Sequence, residues 1–284
     1  MTSNQQSLLK MNIANWITRL FLIVATIVLL YPFIWNLLAS FKSNTEFLTD
    51  PFSFPQALHF DNYVRAFQKS KMGSYFLNSI FLVVLSTAIL VIFVVPMAYV
   101  LTRFKFWGSK LILNLYMACI FLQASYIMVP LFLQVNSFGM LDNRGMLSLI
   151  YAVLQFPFAI FVLSGFLKSV PRDYEEAAKI DGCGNTGVLV RIVAPLAKPG
   201  IVTVCMLAAM GFWNEYPLAL VLIQSDSKKT LPVGLANLFE VQRYATDWSA
   251  LFAALILVLI PTILLYVIGQ KQLLQGISAG GIKG

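Results

Sequence analysis

Apolar residues fall in long blocks along this chain, separated by shorter polar stretches. Crossing the hydrocarbon of a bilayer takes about 20 mostly apolar residues in a helix. Six segments meet that requirement: Leu20–Phe41, Tyr75–Leu101, Leu111–Val135, Gly145–Leu167, Gly200–Ile223 and Trp248–Gln270. None shows the dyad alternation of a membrane β-barrel strand. All six are predicted to be helices, because a backbone in lipid has to satisfy its own hydrogen bonds. The expected fold class is an all-α membrane protein with six transmembrane helices. The first apolar run continues from Leu20 to Phe41 without a charge, longer than the roughly 7–15 residues of a signal-peptide core. It is read as a retained first span.

The stretches between the blocks set the organisation. Lys42–Met72 and Gln224–Asp247 are polar loops on one side, and Asn136–Arg144 is a short turn. Lys168–Lys198 lies on the other side and is long enough to be functional or to carry structure of its own. Three regions follow: residues 1–74 with the first helix and an outside loop, 75–270 as a five-helix core containing loop 168–198, and a tail, 271–284. Each span holds one proline: Pro32, Pro96, Pro130, Pro157, Pro217 and Pro261. Proline kinks a helix, which suits a bundle that opens a path; proline is also generally commoner in membrane helices.

Composition agrees with a membrane location. Hydrophobic types make up 59% of the 284 residues and charged types 11%, against about 25% charged in soluble domains. Mean hydropathy is +0.78. The net charge of +8 is spread over the loops, which argues for contact with membrane lipid and against a nucleic-acid partner. The short loops set the orientation: Arg103–Lys110 carries three basic residues and Asn136–Arg144 one. The positive-inside rule then puts both termini in the cytoplasm. Cys119, Cys183 and Cys205 are scattered, and the single histidine, His59, stands in a polar loop. No metal site is expected from such a set. No GxxxxGK[ST] phosphate loop is present, so no nucleotide cofactor is expected on this chain.

Two places carry candidate chemistry. The segment Pro171–Gly182 reads as a helix of about three turns. Proline opens it, Asp173, Glu175 and Glu176 complement its positive end, and Gly182 closes it. Tyr174, Ala177, Ala178 and Asp181 share one face at helical spacing, thin enough for close approach of a partner. A second helix is expected over Thr186–Val193, capped by Asn185, with Val188, Leu189, Ile192 and Val193 as its apolar stripe and Pro195 breaking it. The other place is Glu215, the one acid well inside a span. It lies roughly 22 Å along the helix from Gly200. An acid at that depth faces a partner or a wet cavity. Trp213 beside it offers a flat apolar face, with Asn214 and Glu215 as polar contacts. Equally, Trp213 and Tyr216 serve as interfacial anchors, with Glu215 making a structural hydrogen bond.

The set Glu176-Ala177-Ala178, Gly182, Ile192 and Pro195 resembles the EAA loop of ABC importer permeases, whose pattern is E-A-A, three residues, G, nine residues, I, any residue, L, P. Ala194 stands where that family has Leu. Trp213-Asn214-Glu215-Tyr216 resembles the WNE(F/Y) signature of the maltose-type, carbohydrate branch. Gln270-Lys271, Gly276 and Ala279-Gly280-Gly281-Ile282-Lys283-Gly284 resemble its ending, and Tyr31-Pro32, Ser40 and Lys42 its beginning. The resemblance implies a type I ABC importer permease, the smaller of two permease subunits, with no catalysis of its own. It implies a heterodimer with a related permease, an ATPase dimer inside that binds ATP and Mg, and an extracellular sugar-binding protein. Glu176, Ala177, Ala178, Gly182, Ile192 and Pro195 would couple to the ATPase. Trp213, Asn214, Glu215 and Tyr216 would border the sugar path. Gly280, Gly281 and Lys283 would reach toward the ATPase, unless the tail is merely a frayed terminus.

The alternative, an ion-coupled secondary transporter of a small polar solute, needs several buried ionisable groups, and the spans hold almost none. An intramembrane enzyme needs a nucleophile with a base, or a metal cluster, and the only histidine lies outside the spans.

Overall fold

Helices in lipid are lengthened or broken by local hydrogen-bond supply, and both outcomes occur here. The computed structural model describes residues 3–69, 71–122, 124–241 and 247–281, and no strand occurs among them. Four helical stretches are long and apolar enough to cross a membrane: Asn15–Ser40, Met72–Arg103, Arg144–Ser169 and Trp248–Gln270. Two bent helix pairs bring the number to six if each is one span. The chain divides into two units, residues 1–69 with 238–257, and residues 70–237 with 258–284.

In the first unit, α1 (Ser3–Ser40) begins well before the predicted Leu20. The loop after it, expected as a polar connector, contains α2 (Asn44–Thr49) and α3 (Asp61–Lys69). A reciprocal capping box between Ser43 and Glu46 starts α2, satisfying donors that a helix end leaves free. Trp35, Phe47, Trp248 and Phe252 form an aromatic cluster with centroids 4.9–6.3 Å apart. Lys42 is fully buried, and its Nζ donates to the Asp50 carbonyl at 2.8 Å and to Ser53 Oγ at 3.0 Å. Asn62 Nδ2 donates to the carbonyls of Ser40 and Lys42, each at 2.8 Å. The polar residues of this loop therefore build a packed turn.

The second unit is organised on α4 (Met72–Arg103) and α7 (Arg144–Ser169). Between them lie α5 (Ser109–Cys119) and α6 (Ala124–Ser137). The predicted third span, Leu111–Val135, is thus two helices. The core holds Leu82, Leu90, Val94, Ile160 and Leu163 beside Ala98, Ala152, Ala159 and Ala208. Membrane helices gain no hydrophobic drive against lipid, so small residues that permit close approach secure the contact. The outer faces stay apolar: Ile92 is 66% and Phe161 52% exposed.

After α7 come α8 (Asp173–Ile180), α9 (Asn185–Val188), a π turn at Leu189–Val193, and α10 (Ala194–Leu196). Then α11 (Lys198–Asn214) turns 77° away. At 17 residues it is about 25 Å long, short of the ~30 Å hydrocarbon. The predicted fifth span breaks at Glu215–Tyr216 and resumes as α12 (Pro217–Leu222). The following segment, expected as a polar loop, contains a 3-10 turn at Asp226–Lys228 and α13 (Leu231–Val241). The last helix, α14 (Trp248–Gly281), runs past the predicted end at Gln270.

At the N-terminal end of α4, polar groups hold these connections down. Asp142, at a positive φ of 58°, accepts from the backbone N–H groups of Gln224 (3.1 Å) and Ser225 (2.8 Å) and from Lys228 Nζ (2.7 Å). Asp226 accepts from Tyr75 Oη at 2.8 Å and pairs with Lys71 Nζ at 3.0 Å. Partial burial raises the Asp142 pKa, but the hydrogen bonds from Lys228, Ser225 and Gln224 outweigh it and hold the carboxyl well below the usual range. A depressed folded-state value gives stability that is complete above the ordinary aspartate pKa of about 4 and is lost as pH falls toward the depressed value. The unfolding temperature in detergent should therefore fall with acidification below about pH 4, and Asp142→Asn should flatten that part of the dependence.

The start of α11 is tightly seated. A Cβ on Gly200 would stand 2.5 Å from Phe166 Cγ and 2.8 Å from its Cβ, and neither atom is a flexible end. Gly200→Ala is expected to cost about 1–3 kcal/mol through overpacking, measured as a lowered unfolding temperature; an unchanged temperature would mean that α7 and α11 can separate freely here.

Candidate functional site

The elbow between α7 and α11 gathers most of the predicted site residues. α8 starts at Asp173, two residues after Pro171, and is two turns long where three were expected. Its acidic first turn matches the dipole. Its end is a Schellman closure: Cys183 N–H donates to Ala178 O at 2.9 Å and Gly182 N–H to Lys179 O at 3.0 Å. Gly182 takes φ +85°, a left-handed value that glycine adopts without strain.

The two faces of α8 differ. Tyr174, Glu176, Ala177 and Asp181 are exposed, and Ile180 is 86% exposed. Ala178 belongs to the opposite face and is buried with Glu175, so the expected four-residue face loses one member. The second arm begins at Gly184, not Asn185, which is the first helical residue and makes no side-chain cap. Its stripe is inward as expected, with Val188 and Val193 fully buried and Leu189 and Ile192 packed on the core. Pro195 does not end this arm. It sits exposed inside α10, and the turn comes at Ala197. Pro195 brings no N–H to the ladder, and the π turn lies just before it; such single π turns recur at functional sites.

The pattern gave no hint of Arg103 and Tyr99. Glu175 pairs with Arg103 at 2.6 Å (Oε1 to Nε), and both side chains are only 7% exposed. Tyr99 Oη donates to Glu175 Oε2 at 3.0 Å, and Arg103 Nη2 to the carbonyl of Val170 at 2.7 Å. Removing one partner of such a buried pair costs about 3–5 kcal/mol. Separated by more than seventy positions, these residues carry no local signal of their meeting; the one available clue was that Arg103 closes a span and Glu175 opens a helix.

The second candidate place is the break in the fifth span. Glu215 accepts from the N–H groups of Leu218 (2.7 Å, Oε1) and Ala219 (3.1 Å, Oε2), and Tyr151 Oη donates to Oε2. It supplies the acceptors that the start of α12 lacks. Trp213 is buried, with its indole N–H on the Val258 carbonyl at 3.2 Å and its ring edge-on to Phe76 at 5.5 Å. Asn214 is the exposed member, its Nδ2 donating to Met210 O at 2.8 Å. Tyr216 is half-buried against the core. Gly280 and Gly281 are the last turn of α14; Lys283 lies outside the described residues.

The family described as binding-protein-dependent transport system inner membrane component matches residues 95–278, which include the elbow and the broken span. The chain belongs to this family. The permease is 37% identical over 265 residues to the diacetylchitobiose uptake system permease protein NgcG of Streptomyces coelicolor, covering 93% of this chain and 87% of that one. It is 36% identical over 256 residues to the sulfoquinovosyl glycerol transport system permease protein SmoH of Agrobacterium fabrum, covering 90% and 89%. Among solved structures, a chain of a bacterial ABC transporter that imports the acidic polysaccharide alginate superposes with a TM-score of 0.79 at 26% identity, covering 92% of this chain and 96% of that one. A second alginate transporter structure, in complex with a periplasmic protein bound to an alginate pentasaccharide, shares the fold at TM-score 0.65 and 17% identity, covering 93% and 96%. The permease is thus a multi-pass membrane transport subunit with the type I importer fold, as the EAA-like spacing implied.

Glu215→Ala leaves two N–H groups and a hydroxyl without their acceptor and is expected to cost about 1–3 kcal/mol of stability, read from thermal unfolding. Glu215→Gln keeps one carbonyl oxygen and should cost less. Full stability with lost uptake in that variant would put the carboxylate on the transport path.

Proposed function

We propose that this permease carries a mono-, di- or oligosaccharide across the cytoplasmic membrane, received from an extracellular sugar-binding protein and driven by ATP hydrolysis on a separate ATPase pair. The observation that carries the proposal is the elbow. A two-turn helix outside the bundle, ended sharply at Gly182, leaves Tyr174, Ala177 and Ile180 uncovered. Exposed apolar side chains on a short polar helix are accounted for by a protein surface that covers them. The cargo class rests on relatives whose names specify diacetylchitobiose and sulfoquinovosyl glycerol and on the alginate transporters.

In this reading the elbow and both termini are cytoplasmic, and a related second permease lines the other half of the path. ATP and Mg bind the ATPase alone, and Gly280, Gly281 and Lys283 extend toward it. Of the Trp213–Tyr216 stretch, Asn214 faces cargo, while Trp213, Glu215 and Tyr216 shape the wall behind it. Transport follows from two-state coupling: closure of the ATPase pair displaces α8, and the bundle changes the side to which it opens.

Extraction in mild detergent followed by mass spectrometry should recover a second permease and an ATPase with this chain. Gly182→Asp forces a side chain and a charge onto a left-handed position at the docking surface. That variant should insert normally yet lose ATP-dependent uptake of the co-purified binding protein's ligand. A stable homo-oligomer with no ATPase, even after cross-linking at position 177, would sink the proposal.

A further inference from the structure

α8 is fastened to the bundle at one strong point. Its exposed face looks away from the membrane helices, and Glu175 lies on the other face, buried against Arg103 at 2.6 Å. Tyr99, one turn before Arg103 and so on the same side of α4, donates to the second carboxylate oxygen at 3.0 Å. Arg103 also holds the Val170 carbonyl at 2.7 Å, at the end of α7. Three elements therefore meet at one carboxylate and one guanidinium, shielded from solvent. The remaining attachments of α8 are weaker: the methyl of Ala178 in the core and Lys179 Nζ 5.9 Å from the ring centroid of Phe104, the residue after α4. Among the described residues, no other ion pair joins α8 to a membrane helix.

The charges are also placed to suit the helices that bear them. Arg103 stands at the C-terminal end of α4, where the dipole favours a cation, and Glu175 in the first turn of α8, where it favours an anion. Arg103 Nε and Glu175 Oε1 meet as an ion contact without hydrogen-bond geometry, while the bonds from Tyr99 to Glu175 and from Arg103 to Val170 are charge-assisted and directional, and so resist shear better than apolar contacts, which slide. We propose that Arg103, Glu175 and Tyr99 form the joint through which displacement of α8 is delivered to α4. They are positioning residues for coupling and do not touch the cargo. The inference rests on the reading of α8 as the ATPase-docking helix.

The test uses the complete purified transporter in nanodiscs, with Cys119, Cys183 and Cys205 replaced and spin labels at Asp173→Cys, in the first turn of α8 and apart from the docking residues named above, and Leu77→Cys, both exposed positions. With Glu175 present, ATP should leave the distance between the labels unchanged, because α8 and α4 move as one body. In Glu175→Gln the distance should match the parent without nucleotide and shift by about 2 Å or more with ATP, the scale of helix displacements in such transitions. The paired swap Arg103→Glu with Glu175→Arg should reduce that shift, though incompletely, since each charge then opposes its dipole. Tyr99→Phe should shift in the same direction by less, and it carries the test if Glu175→Gln fails to assemble. An ATP-insensitive distance in these variants, or one already altered without ATP, would overturn the joint. A wild-type complex that hydrolyses no ATP would instead overturn the docking reading, and the joint with it.

Discussion

The backbone's demand for hydrogen-bond partners in lipid governs where this chain may bend. In hydrocarbon an unpaired N–H or carbonyl has no water to turn to, so every interruption of a helix needs a substitute partner. The fifth span shows the consequence most clearly. It stops at Asn214, and the two N–H groups at the start of α12 are met by the carboxylate of Glu215, which Tyr151 steadies from α7. A charged residue, costly at that depth, is tolerated because it does work that the main chain there cannot do. At the other end of the same helix, the turn at Ala197 lies where Pro195 has already removed a donor, outside the apolar stretch.

The same constraint divides labour among the residues of the elbow. Backbone groups at the close of α8 are satisfied internally by the left-handed Gly182, which frees its outer side chains from any structural duty. The inner side chains carry the attachment instead, through Glu175. A helix so arranged is anchored on its inner side and open on its outer one, the arrangement that the proposed docking would use.

Much of this was legible in the chain. The apolar blocks located the four helices of membrane-spanning length, and Gly182 with its acidic lead-in located α8, because both depend on local composition; the third and fifth blocks fell on broken helices. What escaped depended on partners. Pro217 read as one kink among six, although Glu215 two residues before it was already the acceptor for a new helix start. Ala177 and Ala178 are chemically identical, so nothing local could say that one faces outward and the other the core. α2 carried a local start signal, Ser43 with Glu46, that the apolar pattern alone does not register. The polar loops concealed α3 and α13 because their anchors are long-range, Arg65 on Asp247 in one unit and the Leu231 N–H on Ser79 Oγ in the other. The Arg103–Glu175 pair was unreadable for the same reason.

The π turn fixes the direction in which the elbow looks. Val188 and Val193 are both fully buried, yet residues five apart on an ordinary α-helix point about 140° away from each other. The wider turn brings them to one side. Orientation of the second arm is thus encoded by a residue count, independently of what those residues are. A chain one residue shorter between 189 and 193 would keep every apolar side chain type and still swing the arm by about 100°, so loss of one residue here redirects the elbow even where every side chain left is still apolar.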